Sequence, residues 1–95
     1  MIEKEILIKN KKYHYINEML GKKAPLVILK GETGYIMCGY LNIDVANSLN
    51  DVAVRVTGVN DVNDVLNTTV NACTDAARSL GIKPGDRIMD IIDKL

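Results

Sequence analysis

Tryptophan and phenylalanine are absent from this 95-residue sequence, and four tyrosines are its whole aromatic complement. Any core must therefore be aliphatic, packed from Ile, Leu, Val and Met. Metal and redox chemistry are poorly provided for: there is one histidine, and the two cysteines, Cys38 and Cys73, are too far apart for a CxxC pair or a zinc-ligand spacing. Two free thiols in a reducing cytoplasm are the expectation. Net charge is missing as well, since 12 Lys and Arg balance 12 Asp and Glu. That removes the broad positive field that draws nucleic acid or an anionic membrane. No apolar run approaches the ~18 residues of a membrane span, and none is framed as a signal peptide. Neither GxxxxGK[ST] nor a dinucleotide fingerprint occurs, so no cofactor is expected.

What is present is a globular composition, 47% hydrophobic and 25% charged. The length suits one domain, residues 1–95, with a modest core. Charge is unevenly spread: residues 1–30 hold seven basic and three acidic side chains, residues 31–95 five and nine. Lys9, Lys11, Lys12, Lys22 and Lys23 either form a basic edge or guard strand edges against aggregation.

The apolar period changes partway along the chain. Ile2, Ile6 and Ile8 share one parity and Glu3 and Glu5 the other, which predicts a strand. A turn at Asn10–Lys12 leads to a second strand, where Tyr13, Tyr15 and Asn17 alternate with His14 and Ile16. After a GKKAP linker, LVILKG and GYIMCGY predict a second hairpin, with Gly31 or Gly34 supplying a positive φ. Asn42 is then a helix N-cap, with Asp44 in the first turn and Asn50 as the stop. VAVRVTG (52–58) alternates as a fifth strand.

Beyond it, Val62, Val65, Leu66, Cys73, Ala76, Ala77 and Leu80 keep helical spacing and predict one helix over 61–80, capped by Asn60 and stopped by Gly81. Its weakest point is the β-branched run Thr68, Thr69, Val70. Asp86 is expected to cap a last helix whose Ile88, Ile91, Ile92 and Leu95 form one apolar stripe. The fold class is thus α+β, a two-layer domain with a mostly antiparallel five-stranded sheet and about three helices on one face.

The run KAPLVILKGETGYIMCGYLNIDVANSLNDVAVRVTGVNDVNDVLN, with LGIKPGDRIMDIIDKL, resembles the YunC-like family of small prokaryotic domains of unknown function. The likeness covers roughly residues 20–95, and its most specific part is GYIMCGYLN, a valine-rich strand, and LGI-x-x-G. This chain departs from the family pattern at Asp86, Arg87 and Ile88, where a Met-Thr-Gly type sequence is expected. The resemblance implies a cytosolic single-domain protein and brings no established activity, cofactor or catalytic residue.

Chemistry must then be sought in the residues. Cys38 is the candidate nucleophile, with His14 the one available imidazole base, but an apolar strand equally buries a cysteine as packing. Cys73 falls on the helical stripe and reads as core. Gly39, Tyr40 and Asn42 bring a strand into a helix start, a junction that either receives a hydrogen-bonding ligand or is a structural bulge. Asp44 in that first turn argues against phosphate. Arg55, flanked by valines, is a surface residue if its face is solvated and needs a carboxylate or ligand if the face is covered. Asp61 and Asp64 suit a hard cation or a helix dipole.

Two readings follow. The favoured one is a non-catalytic binding or assembly module that forms a homo-oligomer or docks a partner. The alternative is a small enzyme or ligand-binding protein using the Cys38 to Asn42 junction, with a small-molecule ligand of unidentified kind. Neither nucleic acid nor a membrane is an expected partner, and no metal site is expected.

Overall fold

The computed structural model describes residues 1–95. The chain lays down β1 (Ile2–Ile8), β2 (Lys11–Met19), β3 (Pro25–Lys30) and β4 (Gly34–Met37), then α1 (Ile43–Ser48) and β5 (Val52–Arg55). There follow α2 (Val62–Leu66), β6 (Ala72–Cys73), α3 (Asp75–Ser79), α4 (Ile88–Ile91) and a 3₁₀ turn, Ile92–Lys94. Six strands stand in the sheet in sequence order. Every pairing is antiparallel except β4 with β5, which α1 connects in parallel. The α+β class is as expected from the sequence; the strand and helix counts, six and four, are not.

The first turn sits at Lys9 and Asn10, both at positive φ, rather than at Asn10–Lys12. Two consecutive left-handed residues make the two-residue hairpin turn whose twist matches the strands. In the second hairpin neither Gly31 nor Gly34 has a positive φ; those belong to Gly58, Gly81 and Gly85. Close approach is what those two positions require. A Cβ on Gly34 would lie 2.3 Å from the Val52 carbonyl oxygen, and one on Gly31 would lie 2.6 Å from the main-chain oxygen of Leu95. The backbone of β4 can enter its parallel pairing only without a side chain there.

The single helix over 61–80 is overturned. Asp61, not Asn60, caps α2, and the chain leaves the helix through the β-branched run: Val70 N–H donates to the Asp86 carbonyl and Ile88 N–H to the Thr68 carbonyl. Extended backbone at Ala72 and Cys73 then pairs with β5 as a sixth strand. Thr74 fixes the break. Its buried Oγ1 accepts from Ala53 N–H (3.1 Å) and Ala77 N–H (3.2 Å) and donates to the Asp51 carbonyl (2.6 Å), so it serves both as N-cap of α3 and as a cross-tie to β5. Gly81 ends α3 with φ +88°, as its position suggested.

Asp86 does not cap the final helix, whose N-cap Arg87 makes no side-chain capping bond. Its carboxylate turns back to accept from Lys83 N–H (3.0 Å) and Lys83 Nζ (2.8 Å), which holds the Asp86 pKa below the ordinary carboxylate value. The stripe itself is as read: Ile88, Ile91, Ile92 and Leu95 are all buried.

Alternation divides the sheet into two faces. Tyr13 and Tyr15, Val27 and Leu29, Ile36 and Cys38, Val54 and Val56 point to one side, where they join Val65, Ala77 and the C-terminal stripe in an 18-residue core. The other side bears a small second core of Met37, Ala46 and Ala53. Because Ala46 belongs to α1, the helices are not confined to one face: a parallel β4–α1–β5 connection has to cross the sheet on one side, and this one crosses opposite the main core.

Lysines also find a structural use. Lys9 Nζ donates to the Met89 carbonyl and Lys11 Nζ to the Asp93 carbonyl. The hairpin thereby clamps the C-terminal helical segment, whose last carbonyls favour cations.

Candidate functional site

The junction after β4 is built by short-range bonds. Asn42 Oδ1 accepts from Asp44 N–H (2.8 Å) and Val45 N–H (3.3 Å), and so caps α1. Leu41 N–H closes a turn on the Cys38 carbonyl (3.2 Å), which leaves Tyr40 projecting with half its surface exposed. The Tyr40 hydroxyl reaches across to donate to the Ala24 carbonyl (3.2 Å), tying the junction to the loop before β3.

Cys38 is 4% exposed and faces the main core. Its sulfur accepts from Val27 N–H at 3.3 Å, one step beyond the end of the β3–β4 ladder. So little exposed surface is the setting of a packed thiol, whereas a nucleophile needs access to its substrate. His14 lies on the opposite face of the sheet, with Nε2 3.8 Å from Glu3 Oε2, so base and thiol do not meet. Cys73 is free and half-buried on β6, and burial is the main cause of its raised pKa.

Arg55 is placed where sequence left its face undecided. It stands on the α1 side of β5, partly buried, paired in register with Met37. Its Nη1 donates to Asn71 Oδ1 (3.3 Å), its Nε is buried with no hydrogen-bond partner, and no carboxylate lies within 4.0 Å of the guanidinium. Asn71 could not have been found from the sequence, because it sits in the segment read as continuous helix.

Two depressions meet at Gly39 and Tyr40. One, of about 310 Å³, opens between the β2–β3 loop and Val59, with Cys38 at its wall. The other, of about 330 Å³, is bounded by Arg55, Asn42 and Asp44. The structure therefore joins Gly39, Tyr40, Asn42 and Arg55 around one opening and sets Cys38 on the other. Asp61 and Asp64 are occupied as caps: Asp61 Oδ1 accepts from Asp64 N–H and Asp64 Oδ2 from Asn60 N–H, both at 2.9 Å.

On the same face as Arg55, β1 to β3 carry no helix. Across this surface the register aligns Glu5, His14 and Lys30 in one row and Glu3, Ile16 and Ile28 in the next. Leu7, 69% exposed, lies beyond them on β1. With every helix expected on one side, the sequence left the whole opposite face as exposed sheet; α1 covers it at β4 and β5, so the bare part is confined to β1 to β3.

A family described as "Domain of unknown function (DUF1805)" matches residues 37–95, which takes in the junction, Arg55 and all that follows. The uncharacterized protein YunC of Bacillus subtilis (strain 168) is 36% identical over 67 residues, covering 66% of this chain and 66%, just under two thirds, of its own length. A crystal structure of a protein of unknown function from Thermoplasma acidophilum is 42% identical, with a TM-score of 0.95, over 99% of this chain and 91% of that one. That likeness extends through the N-terminal hairpin, which lies outside the family match. No helix is long and apolar enough to cross a membrane.

Proposed function

The chain belongs to the DUF1805 family, whose description carries no activity, and from its own geometry we propose that it is a non-catalytic assembly module that pairs with a second copy of itself. The observation that carries this reading is the bare face of β1 to β3. In one row Glu5 on β1 and Lys30 on β3 flank His14, and in the next Glu3 stands beside Ile16 and Ile28, while Glu18 lies at the far end of β2.

A two-fold axis running along β2 would stack one such face on another. It carries β1 of one copy over β3 of the other at the same height along the strands. Glu5 then meets the second copy's Lys30, and Ile16 packs on Ile16. Sheets stack in this way about 10 Å apart. The ion pairs would set register and orientation, while the isoleucines would supply most of the affinity. Two free cysteines suit a reducing compartment, and we place the protein in the cytoplasm on that ground.

Sedimentation at micromolar concentration tests the proposal. A dimer is expected; Glu5→Lys should weaken it at least about tenfold, near 1.4 kcal/mol, and adding Lys30→Glu should restore it. A chain that is monomeric throughout, or a double variant no better than the single one, would overturn the reading.

A further inference from the structure

We infer that the depression between β5 and the start of α1 binds a small amino-carboxylate, with Arg55 receiving the carboxylate and Asp44 the amine. The starting point is an imbalance. A guanidinium offers five N–H donors in a planar fork matched to a carboxylate, and this one, partly withdrawn from water, has a single protein acceptor, the Asn71 amide oxygen at 3.3 Å. Its Nε is buried and unpartnered. An unsatisfied buried donor costs a fold stability, and no carboxylate of the chain meets the guanidinium, so its charge and its Nη2 edge are left for an external anion.

Gly39 points the same way. It has no positive φ, and a Cβ built on it would meet nothing nearer than Arg55 Nη2 at 3.8 Å. Unlike Gly31 and Gly34, then, it is required neither by backbone conformation nor by close packing. What its missing side chain does is leave the Nη2 edge of the guanidinium open to the depression.

The class of ligand follows from charge. Arg55 and Asp44 bound the same opening without pairing, so the site carries one charge of each sign. A phosphate dianion would gain one favourable partner and one repulsive one. A zwitterion with carboxylate and ammonium on one carbon carries a group for each. The first turn of α1 is not needed as an anion site, since Asn42 already takes two of its amides. Arg55 lies on β5, outside the β1–β3 surface, so the inference does not rest on self-association.

NMR on the ¹⁵N-labelled chain, titrated separately with glycine, sodium acetate and inorganic phosphate, provides the test. Glycine should produce saturable shifts of the Arg55 Nε–H and the Gly39 amide, acetate should bind about tenfold more weakly, and phosphate should not saturate. Arg55→Gln should abolish the glycine response. Should that variant unfold, Gly39→Leu keeps the guanidinium and covers its open edge, and should abolish the response equally. Asp44→Asn should reduce glycine to the level of acetate. The proposal fails if glycine shifts do not saturate, if phosphate or acetate binds as tightly as glycine, or if the response survives in folded Arg55→Gln or Gly39→Leu protein.

Discussion

Leu29 and Ile28 are neighbours on β3, yet Leu29 is 1% exposed within the main core while Ile28 lies part-exposed on the bare face beside Ile16. A single step along a strand exchanges the two sides of a sheet. On one side the residues are chosen by packing against α2, α3, α4 and the C-terminal turn. On the other, Met37 and Ala53 are buried where α1 covers the sheet, and over β1 to β3 charge, exposed Leu7 and partly exposed isoleucine remain. The contrast separates the part of the sequence that makes the fold from the part free to make contacts.

The largest effect expected from breaking that contrast comes on the core side. Leu29→Ala should cost about 2–5 kcal/mol, the range for a buried leucine whose surroundings cannot fully close the cavity. Ile28→Ala should cost clearly less in denaturant unfolding of the dilute, dissociated chain, yet weaken association at micromolar concentration. Equal losses from both substitutions would mean that the outer face is as well packed as the inner one.

A smaller effect separates two glycines at the ends of β4. Gly34→Ala drives a Cβ into the Val52 backbone and should cost about 1–3 kcal/mol, as overpacking does. Gly39→Ala makes only an ordinary contact with Arg55 Nη2, at 3.8 Å, and should stay within about 0.5 kcal/mol of the parent. Thermal unfolding of the pair reads both. A destabilised Gly39→Ala would show that the residue serves the backbone and would remove one support for a ligand at Arg55.

These glycines mark the limit of what the sequence discloses. Local signals were legible: Asn42 as a cap, Asn50 at φ 61° as the stop of α1, and the isoleucine stripe at the C-terminus all lie where their chemistry put them. Features decided by distant chain were not. Gly31 and Gly34 looked like turn glycines because their crowding neighbours, Leu95 and Val52, come from elsewhere.

The helical spacing from Val62 to Leu80 arose from two short helices whose inward residues fall by chance into one phase. Leu80, counted in that stripe, is 41% exposed. Thr74 carried the correction in plain view, as a good N-cap three residues before Ala77. Of the candidate site, its members on the chain from Gly39 to Asn42 were legible and its geometry was not. Arg55 could be flagged by its valine neighbours, but its missing carboxylate and its partner Asn71 are facts of tertiary structure.

The smallest effect at neutral pH distinguishes two tyrosines, one on each face. Tyr13 donates to the Ile92 carbonyl (2.8 Å) in the main core, and burial is the main cause of its raised pKa. Tyr35, on the α1 side, donates to Asp51 Oδ2 (2.6 Å); burial first, then that bond and the carboxylate's charge, push its pKa up to about 12 from 10.0. A raised phenol pKa means that the folded state holds the proton more tightly than the unfolded one. The stabilising contribution is therefore complete below pH 10 and is lost as pH rises through about 12. Tyr35→Phe should cost about 0.5–1.5 kcal/mol at pH 7, the net worth of a hydrogen bond. Because the variant has no phenol to ionise at position 35, its stability should fall less steeply than the parent's between pH 10 and 12, and the two curves should converge there. Parallel curves across that range would show that the phenol of Tyr35 titrates alike in the folded and unfolded chain, leaving Tyr13 to carry the alkaline sensitivity from the core side.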